Sequence, residues 1–322
     1  MPLSLTNVLT PPVLFFLLGG VSTLVRSPLE IPQAVSRAVA LYLLVAIGLK
    51  GGVELSASGL SLTAMSTLGA AVAMAALIPF VAYAVLRGCL AAADAVAVAA
   101  TYGSVSAVTF ITAAGYLAAQ GVPASGHMVA AMALMEAPAI VVALFLARRA
   151  NLLDAAAETR GARAAAIETL RNEAVFLLLG SLAIGALIGQ QGWQQLRPFV
   201  EAPFQGVLCF FLLEMGLLAA RSAGALRAAG RPALLFAVFA PVVQGLVGLG
   251  VAALLGLPPG DALLFTVLCG SASYIAVPAA LRVALPQANP SLYLSMALGI
   301  TFPLNVLVGI PSYYALISWL GL

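Results

Sequence analysis

Long apolar runs follow one another along the chain, separated by short breaks that are polar or rich in glycine and proline. An apolar helix of about 18 residues or more can cross the hydrocarbon core of a bilayer. The pattern therefore predicts an all-α integral membrane protein. We expect ten spanning segments, at about 11–25, 32–49, 61–86, 92–119, 127–147, 174–190, 203–219, 232–256, 262–285 and 291–320.

Composition supports a membrane protein. Of the 322 residues, 63% are hydrophobic and only 8% are charged, and the mean hydropathy is +1.11. A soluble domain usually has about a quarter charged residues, so this chain has too few charges to cover a surface that faces water. The opening sequence MPLSLTNVLTPPVLFF lacks the basic region of a cleavable signal peptide, so we expect the first apolar run to remain as a span.

The scarcity of reactive side chains argues against catalysis. The three cysteines (Cys89, Cys209 and Cys269) are scattered, and His127 is the single histidine. This favours neither a disulfide framework nor a metal site of the usual type. A membrane-embedded enzyme would need a nucleophile with its base, or metal ligands, at depth. We expect no enzyme, no cofactor and, because the net charge of +3 is spread over many loops, no nucleic-acid partner.

Basic residues indicate the orientation of the chain. The loops after odd-numbered segments, with the adjoining helix ends, hold twelve of the fourteen lysines and arginines, whereas the loops after even-numbered segments hold only Lys50 and Arg197. Cytoplasmic loops carry the excess of basic residues. We therefore expect an inner-membrane protein with both termini in the periplasm. The twelve residues are Arg26, Arg37, Arg87, Arg148, Arg149, Arg160, Arg163, Arg171, Arg221, Arg227, Arg231 and Arg282.

The chain divides into two similar halves. A polar stretch, 148–173, is predicted to be a cytoplasmic linker between a first repeat, 1–147, and a second, 174–322. Five segments per half is an odd number, so the second half enters the membrane inverted, an arrangement typical of secondary transporters. A shift of 167 positions aligns Asp94 with Asp261, Gly103 with Gly270, Ser104 with Ser271, Ser106 with Ser273 and Pro123 with Pro290, without a gap.

Segments four and nine are interrupted at matched positions, by AATYGSVSAVTF and CGSASYIAVPAA. Irregular backbone at membrane depth persists only within protein or beside a water-filled cavity. A half-helix that restarts there presents free N–H groups and partial positive charge, which favour an anion. Close helix packing through small residues is the alternative. The predicted substrate-binding residues are Gly103, Ser104, Ser106, Gly270, Ser271, Ser273 and Tyr274.

Two carboxylates, Glu136 and Glu214, lie within predicted spans. An acid within a bilayer is costly unless it is paired or coordinated, so both are functional candidates. A protonated Glu136 that hydrogen-bonds a neighbouring helix is the alternative, and the role of Glu214 stays open. Asp94 and Asp261 are expected to cap helix N-termini, and Lys50 to lie at the membrane interface. The predicted sodium-binding residues are Glu136, Thr101, Thr109, Thr301 and Asn305.

At these motifs the chain resembles the sodium-dependent bicarbonate transporter family, the SbtA type. The likeness lies in YGSVSAVTF, in MEAPAIVVA and in SASYIAVPAALRVALPQANPSLYLSMALGITFP. The resemblance implies sodium symport of bicarbonate, a homotrimer, and a core domain with two interrupted crossing helices that moves against a gate domain, an elevator motion. It also implies a PII-like signalling protein as a partner on the cytoplasmic face.

The chain departs from the cyanobacterial pattern at the second interruption. There the family continues Ser-Asp-Ile-Ser-Gly-Pro-Pro, whereas this chain has Tyr274 in place of the acid and Ala276 in place of the second hydroxyl. Bicarbonate is the expected substrate, and another small anion stays an open alternative. The alternative is a carrier similar to bile-acid symporters or cation/proton antiporters, with the same five-plus-five plan and another organic anion as substrate.

Overall fold

The computed structural model describes residues 10–59, 61–152, 171, 173–223 and 230–322. Most of the predicted linker, and Arg160, Arg163 and Arg227 of the basic loops, lie outside the described residues. Within the described part the chain is helical and contains no strand. The helices are α1 Pro11–Leu24, α2 Gln33–Ser58, α3 Leu62–Leu86, α4 Ala92–Gly103, α5 Ala107–Ala119, α6 His127–Arg149, α7 Glu173–Val200, α8 Phe204–Ala223, α9 Gly230–Leu254, α10 Pro259–Cys269, α11 Ala276–Ala284 and the helical run α12 Pro290–Leu320.

The helices begin where local sequence favours a helix start. Ser61 caps α3 by accepting a hydrogen bond from the Ala64 amide at 3.1 Å, and Asn289 caps α12 through the Ser291 amide at 3.0 Å. Proline occupies the first turn of α1, α10 and α12, where its missing N–H costs nothing. Such starts let the polar backbone close its hydrogen bonds within each helix, as a bilayer requires.

Eight helical stretches in the described part are long and apolar enough to cross a membrane: α2, α3, α4 with α5, α6, α7, α8, α9 and α12. Helices α1 and α10 are apolar but shorter, with 14 and 11 residues. The prediction of an all-helical integral membrane protein is confirmed.

Two predicted segments end too early. Helix α2 continues past residue 49 to Ser58, so Lys50 lies in the body of a helix and not in a loop. Helix α7 continues past residue 190 to Val200 and departs from helical geometry at Gly189 (φ 55°, ψ −159°). In α2 the glycines after Lys50 serve packing, since a Cβ on Gly52 would collide with the Leu182 carbonyl of α7. The sequence pattern alone cannot separate a packing glycine from a glycine that ends a helix.

Helices from the two halves of the chain pair closely. Helix α1 packs along α8, and α2 packs along α7. A Cβ on Gly19 of α1 would collide with the Leu213 carbonyl of α8, and a Cβ on Gly216 of α8 would collide with the Phe16 carbonyl of α1. Small residues of this kind let two helix backbones touch within a membrane. These contacts join α1, α2, α7 and α8 in pairs.

The remaining helices surround the two interruptions. Helix α3 packs against α4 and α6, and α9 packs against α10. Gly103, at the end of α4, lies against the Pro79 ring, so that an added Cβ would collide with that ring. Helix α12 contains two π-helical segments, Ala297–Thr301 and Asn305–Gly309, which the sequence did not predict. Segments of this kind are often found at functional sites.

Asp94 and Asp261 lie in the first turns of α4 and α10, but neither caps its own helix as predicted. Asp94 Oδ1 accepts a hydrogen bond from the Asn289 amide at 2.7 Å, just before α12. Asp261 Oδ1 accepts one from the Ser125 amide at 2.6 Å, just before α6. Each carboxylate therefore ties one interrupted helix to a loop in the other half of the chain, a contact that local spacing cannot reveal.

Candidate functional site

The chain leaves helical geometry at both predicted interruptions. Helix α4 ends at Gly103, and α5 starts at Ala107 with Ser106 as its cap, where Ser106 Oγ accepts a hydrogen bond from the Thr109 amide at 3.1 Å. Between α10 and α11, Ser273 Oγ accepts a hydrogen bond from the Val277 amide at 3.3 Å. Serine side chains therefore satisfy a backbone amide in the first turn of each half-helix that restarts.

The two interruptions touch each other. The Ser273 amide donates a hydrogen bond to the Thr101 carbonyl at 2.8 Å. On the other side, the Ser106 amide donates to Ser271 Oγ at 3.0 Å, and Ser271 Oγ donates to the Leu268 carbonyl at 3.0 Å. In the 167-residue register Thr101 matches Leu268 and Ser106 matches Ser273. The link from serine amide to carbonyl is therefore direct between Ser273 and Thr101, whereas between Ser106 and Leu268 the Ser271 hydroxyl carries it.

The contact between the two interruptions is called the crossing below. A small cavity of about 20 Å³ lies beside it, enough for roughly one water-sized group. Its wall brings together residues predicted for the anion (Ser106, Ser273 and Tyr274) and one predicted for sodium (Glu136). Val105, Ala107, Ala174 and Ile275 complete the wall. The sequence did not predict these four residues, since apolar residues carry no motif.

Several buried polar atoms at the crossing have no hydrogen-bond partner among the described residues. They are Thr101 Oγ1, Ser104 Oγ, Thr109 Oγ1 and Glu136 Oε2. The four residues are 6% exposed or less. An unsatisfied buried polar group costs about 1–3 kcal/mol, and nearly all such groups in folded proteins are paired. Of the four residues, Glu136 lines the cavity, and Thr101, Ser104 and Thr109 do not.

Thr301 and Asn305 do not line the cavity. Thr301 Oγ1 donates to the Ala237 carbonyl at 2.9 Å and shares a hydrogen bond of 2.6 Å with the Tyr102 hydroxyl. Asn305 Nδ2 donates to the Gly270 carbonyl at 2.8 Å, at the end of α10. Both side chains hold α12 against its neighbours, and their role toward sodium stays a prediction.

Tyr274 forms one wall of the cavity and also reaches beyond it. Its hydroxyl donates to Met215 Sδ on α8 at 3.8 Å, a weak sulfur hydrogen bond. Its ring meets the Phe302 ring edge-on, with centroids 5.8 Å apart. Glu214, the neighbour of Met215, lies outside the cavity wall and beside the Ser36 side chain. The structure therefore separates the two candidate carboxylates: Glu136 lines the cavity, and Glu214 does not.

Comparison with known protein families gives a match that covers the whole candidate site. A family model described as the Na⁺-dependent bicarbonate transporter superfamily matches residues 11–318, which include both interruptions and Glu136. None of the curated proteins compared with the chain matches it at a significant level. The family resemblance inferred from the motifs is confirmed. The chain belongs to the Na⁺-dependent bicarbonate transporter superfamily.

Proposed function

We propose that this protein is a secondary active transporter that imports bicarbonate together with sodium. The observation that carries the proposal is the cavity at the crossing, where Ser106 and Ser273 of the two interruptions meet Glu136. The α5 and α11 N-termini that begin beside it supply partial positive charge for an anion. Family membership supports both the ion and the anion.

The fold behind this function is a five-plus-five inverted repeat with ten spans. A twofold axis that exchanges the halves maps α1 onto α7 and α2 onto α8. Under that operation the contact of α1 with α8 becomes the contact of α7 with α2, and both pairs pack closely. The reciprocal links of Asp94 and Asp261 to the opposite half support the same symmetry.

The transport step is an elevator motion of a core domain against a gate domain. Helices α1, α2, α7 and α8, joined by their glycine contacts, form the gate, and the interrupted helices with α3, α6, α9 and α12 form the core. Sodium binds first and offsets the charge of Glu136, after which the anion completes the site. Movement follows because the loaded and empty cores differ in their affinity for the two gate positions.

The assembly and the placement in the membrane belong to the same proposal. We infer a homotrimer in the cell inner membrane, with both termini in the periplasm and the basic loops in the cytoplasm. A PII-like regulatory protein that binds the cytoplasmic face belongs to this proposal. Arg148 and Arg149, which end α6, belong to the basic residues that this proposal places on the cytoplasmic face.

Uptake of radiolabelled bicarbonate into proteoliposomes tests the proposal. An inward sodium gradient should drive accumulation, and replacement of sodium by potassium should remove it. Uptake that is independent of sodium would refute the coupling of bicarbonate to sodium. No uptake under any gradient would refute bicarbonate as the substrate. Proton exchange after a pH jump would instead identify an antiporter-like carrier.

Substitution of Ser104 and Ser271 separates anion binding from structure. Because Ser104 Oγ has no partner among the described residues, Ser104→Ala should raise the half-saturation concentration for bicarbonate about tenfold and leave thermal stability unchanged. Ser271→Ala should also cost about 1 kcal/mol of stability, since it removes the hydroxyl between the Ser106 amide and the Leu268 carbonyl. An unchanged half-saturation in Ser104→Ala would leave that serine as a packing residue.

A further inference from the structure

The two interruptions contribute side chains of different size to the wall of the cavity at the crossing. In the 167-residue register Tyr274 matches Ala107, and both residues line the cavity. One interruption therefore contributes a methyl group where the other contributes a phenol ring. Apart from Tyr274, Glu136 and Ile275, the wall consists of serine, alanine and valine side chains. The phenol of Tyr274 is thus the largest side chain in the wall.

Tyr274 is held by weak contacts from two other helices. The Met215 sulfur on α8 accepts a hydrogen bond from the Tyr274 hydroxyl at 3.8 Å, and the Phe302 ring on α12 meets the Tyr274 ring edge-on. A thioether is a weak acceptor, and the hydroxyl also lies beside the Ser106 side chain of the other interruption. Small-to-large differences in a packed wall decide which groups fit, because protein interiors tolerate little extra volume.

We propose that Tyr274 sets the upper size limit of the transported anion. With the phenol in place the cavity holds about one water-sized group, which is smaller than bicarbonate. The anion therefore enters only as the ring moves aside, and each further heavy atom requires a larger movement. Carboxylates that carry an additional acyl or alkyl group, such as pyruvate, are excluded by contact with the ring. This inference rests on the proposed function, because it assigns a specificity role within the same site.

The test compares sodium-driven uptake of labelled bicarbonate and labelled pyruvate by the full-length protein in proteoliposomes. Pyruvate uptake by Tyr274→Ala should rise at least tenfold above wild type, while bicarbonate uptake continues with a weaker half-saturation. Tyr274→Phe should still exclude pyruvate, because it keeps the ring and loses only the hydroxyl, which contacts Met215 and lies beside the Ser106 side chain. Tyr314→Ala removes a tyrosine ring outside the cavity, against Tyr116, and should also exclude pyruvate.

The outcomes separate this inference from the proposed function. Pyruvate uptake by wild type, or its absence from a Tyr274→Ala protein that takes up bicarbonate, would overturn the size limit. If wild type takes up no bicarbonate, the proposed function fails. The size limit is then judged by whether pyruvate protects Tyr274→Ala, and not wild type, against thermal unfolding. If Tyr274→Ala does not fold, Tyr274→Leu takes its place, because it retains apolar packing against Phe302.

Discussion

Glu136→Gln should reduce sodium-driven bicarbonate uptake at low sodium to about a hundredth of the wild-type rate or less. The carboxylate is buried in the cavity wall, and its Oε2 atom has no hydrogen-bond partner among the described residues. Attraction between unit charges about 4 Å apart in a partly buried site is roughly 4 kcal/mol. Its loss weakens sodium binding by two or more orders of magnitude. Initial uptake rates measured over a range of sodium concentrations would show this loss.

Glu214→Gln is the matched control for this experiment. Glu214 also lies within a helix long enough to span the membrane, but it does not line the cavity. Its substitution should leave the sodium dependence within about threefold of wild type, the usual scatter for a group outside the site. Normal sodium dependence in Glu136→Gln would mean that Glu136 acts as a buried structural acid. Loss of sodium dependence only in Glu214→Gln would move the ion site to α8.

Gly19→Ala should lower the stability of the folded protein by about 1–3 kcal/mol, because the added Cβ collides with the Leu213 carbonyl of α8 and forces two packed helices apart. The adjacent Gly20→Ala is the control. A Cβ at Gly20 meets no atom within 4 Å, and alanine is a better helix former than glycine by about 0.5–1 kcal/mol. Thermal unfolding of the purified protein in detergent would compare the two variants.

The two adjacent substitutions test the packing of α1 against α8. Gly19→Ala should lower the melting temperature by about 5 °C, and Gly20→Ala should leave it unchanged or raise it slightly. Gly216→Ala, on the opposite helix, should behave like Gly19→Ala, since its Cβ would collide with the Phe16 carbonyl. Equal melting temperatures for Gly19→Ala and Gly20→Ala would contradict the close contact of α1 with α8.

Sequence reasoning predicted those parts of the structure that depend on local chemistry. Glycine and serine at matched positions indicated both interruptions, and the serines do accept backbone amides there. Glu136 was predicted as a functional residue because an acid in an apolar helix is costly. The pattern failed where the deciding contact joins distant parts of the chain. Asp94 binds the Asn289 amide, 195 residues away, and no local signal distinguishes that bond from a helix cap.

The rest of the site depends on three-dimensional packing between halves. Tyr274 was predicted near the anion, but its contacts with Met215 and Phe302 require α8 and α12 to be in place. Thr301 was predicted as an ion ligand, yet its hydroxyl is engaged by Ala237 and Tyr102. A hydroxyl at a given position in an apolar helix does not reveal whether it will meet a ligand or a carbonyl.

The serine that carries one link of the crossing makes the two interruptions chemically unequal. If the interruptions were identical, a twofold rotation that exchanges them would return the same contacts. Ser271 replaces a direct amide–carbonyl bond with a relay, while Thr101 keeps the direct bond. The matched Ser104 hydroxyl has no hydrogen-bond partner among the described residues. The crossing therefore has one engaged hydroxyl and one unengaged hydroxyl at equivalent positions, which gives it a polarity that the matched sequences do not reveal.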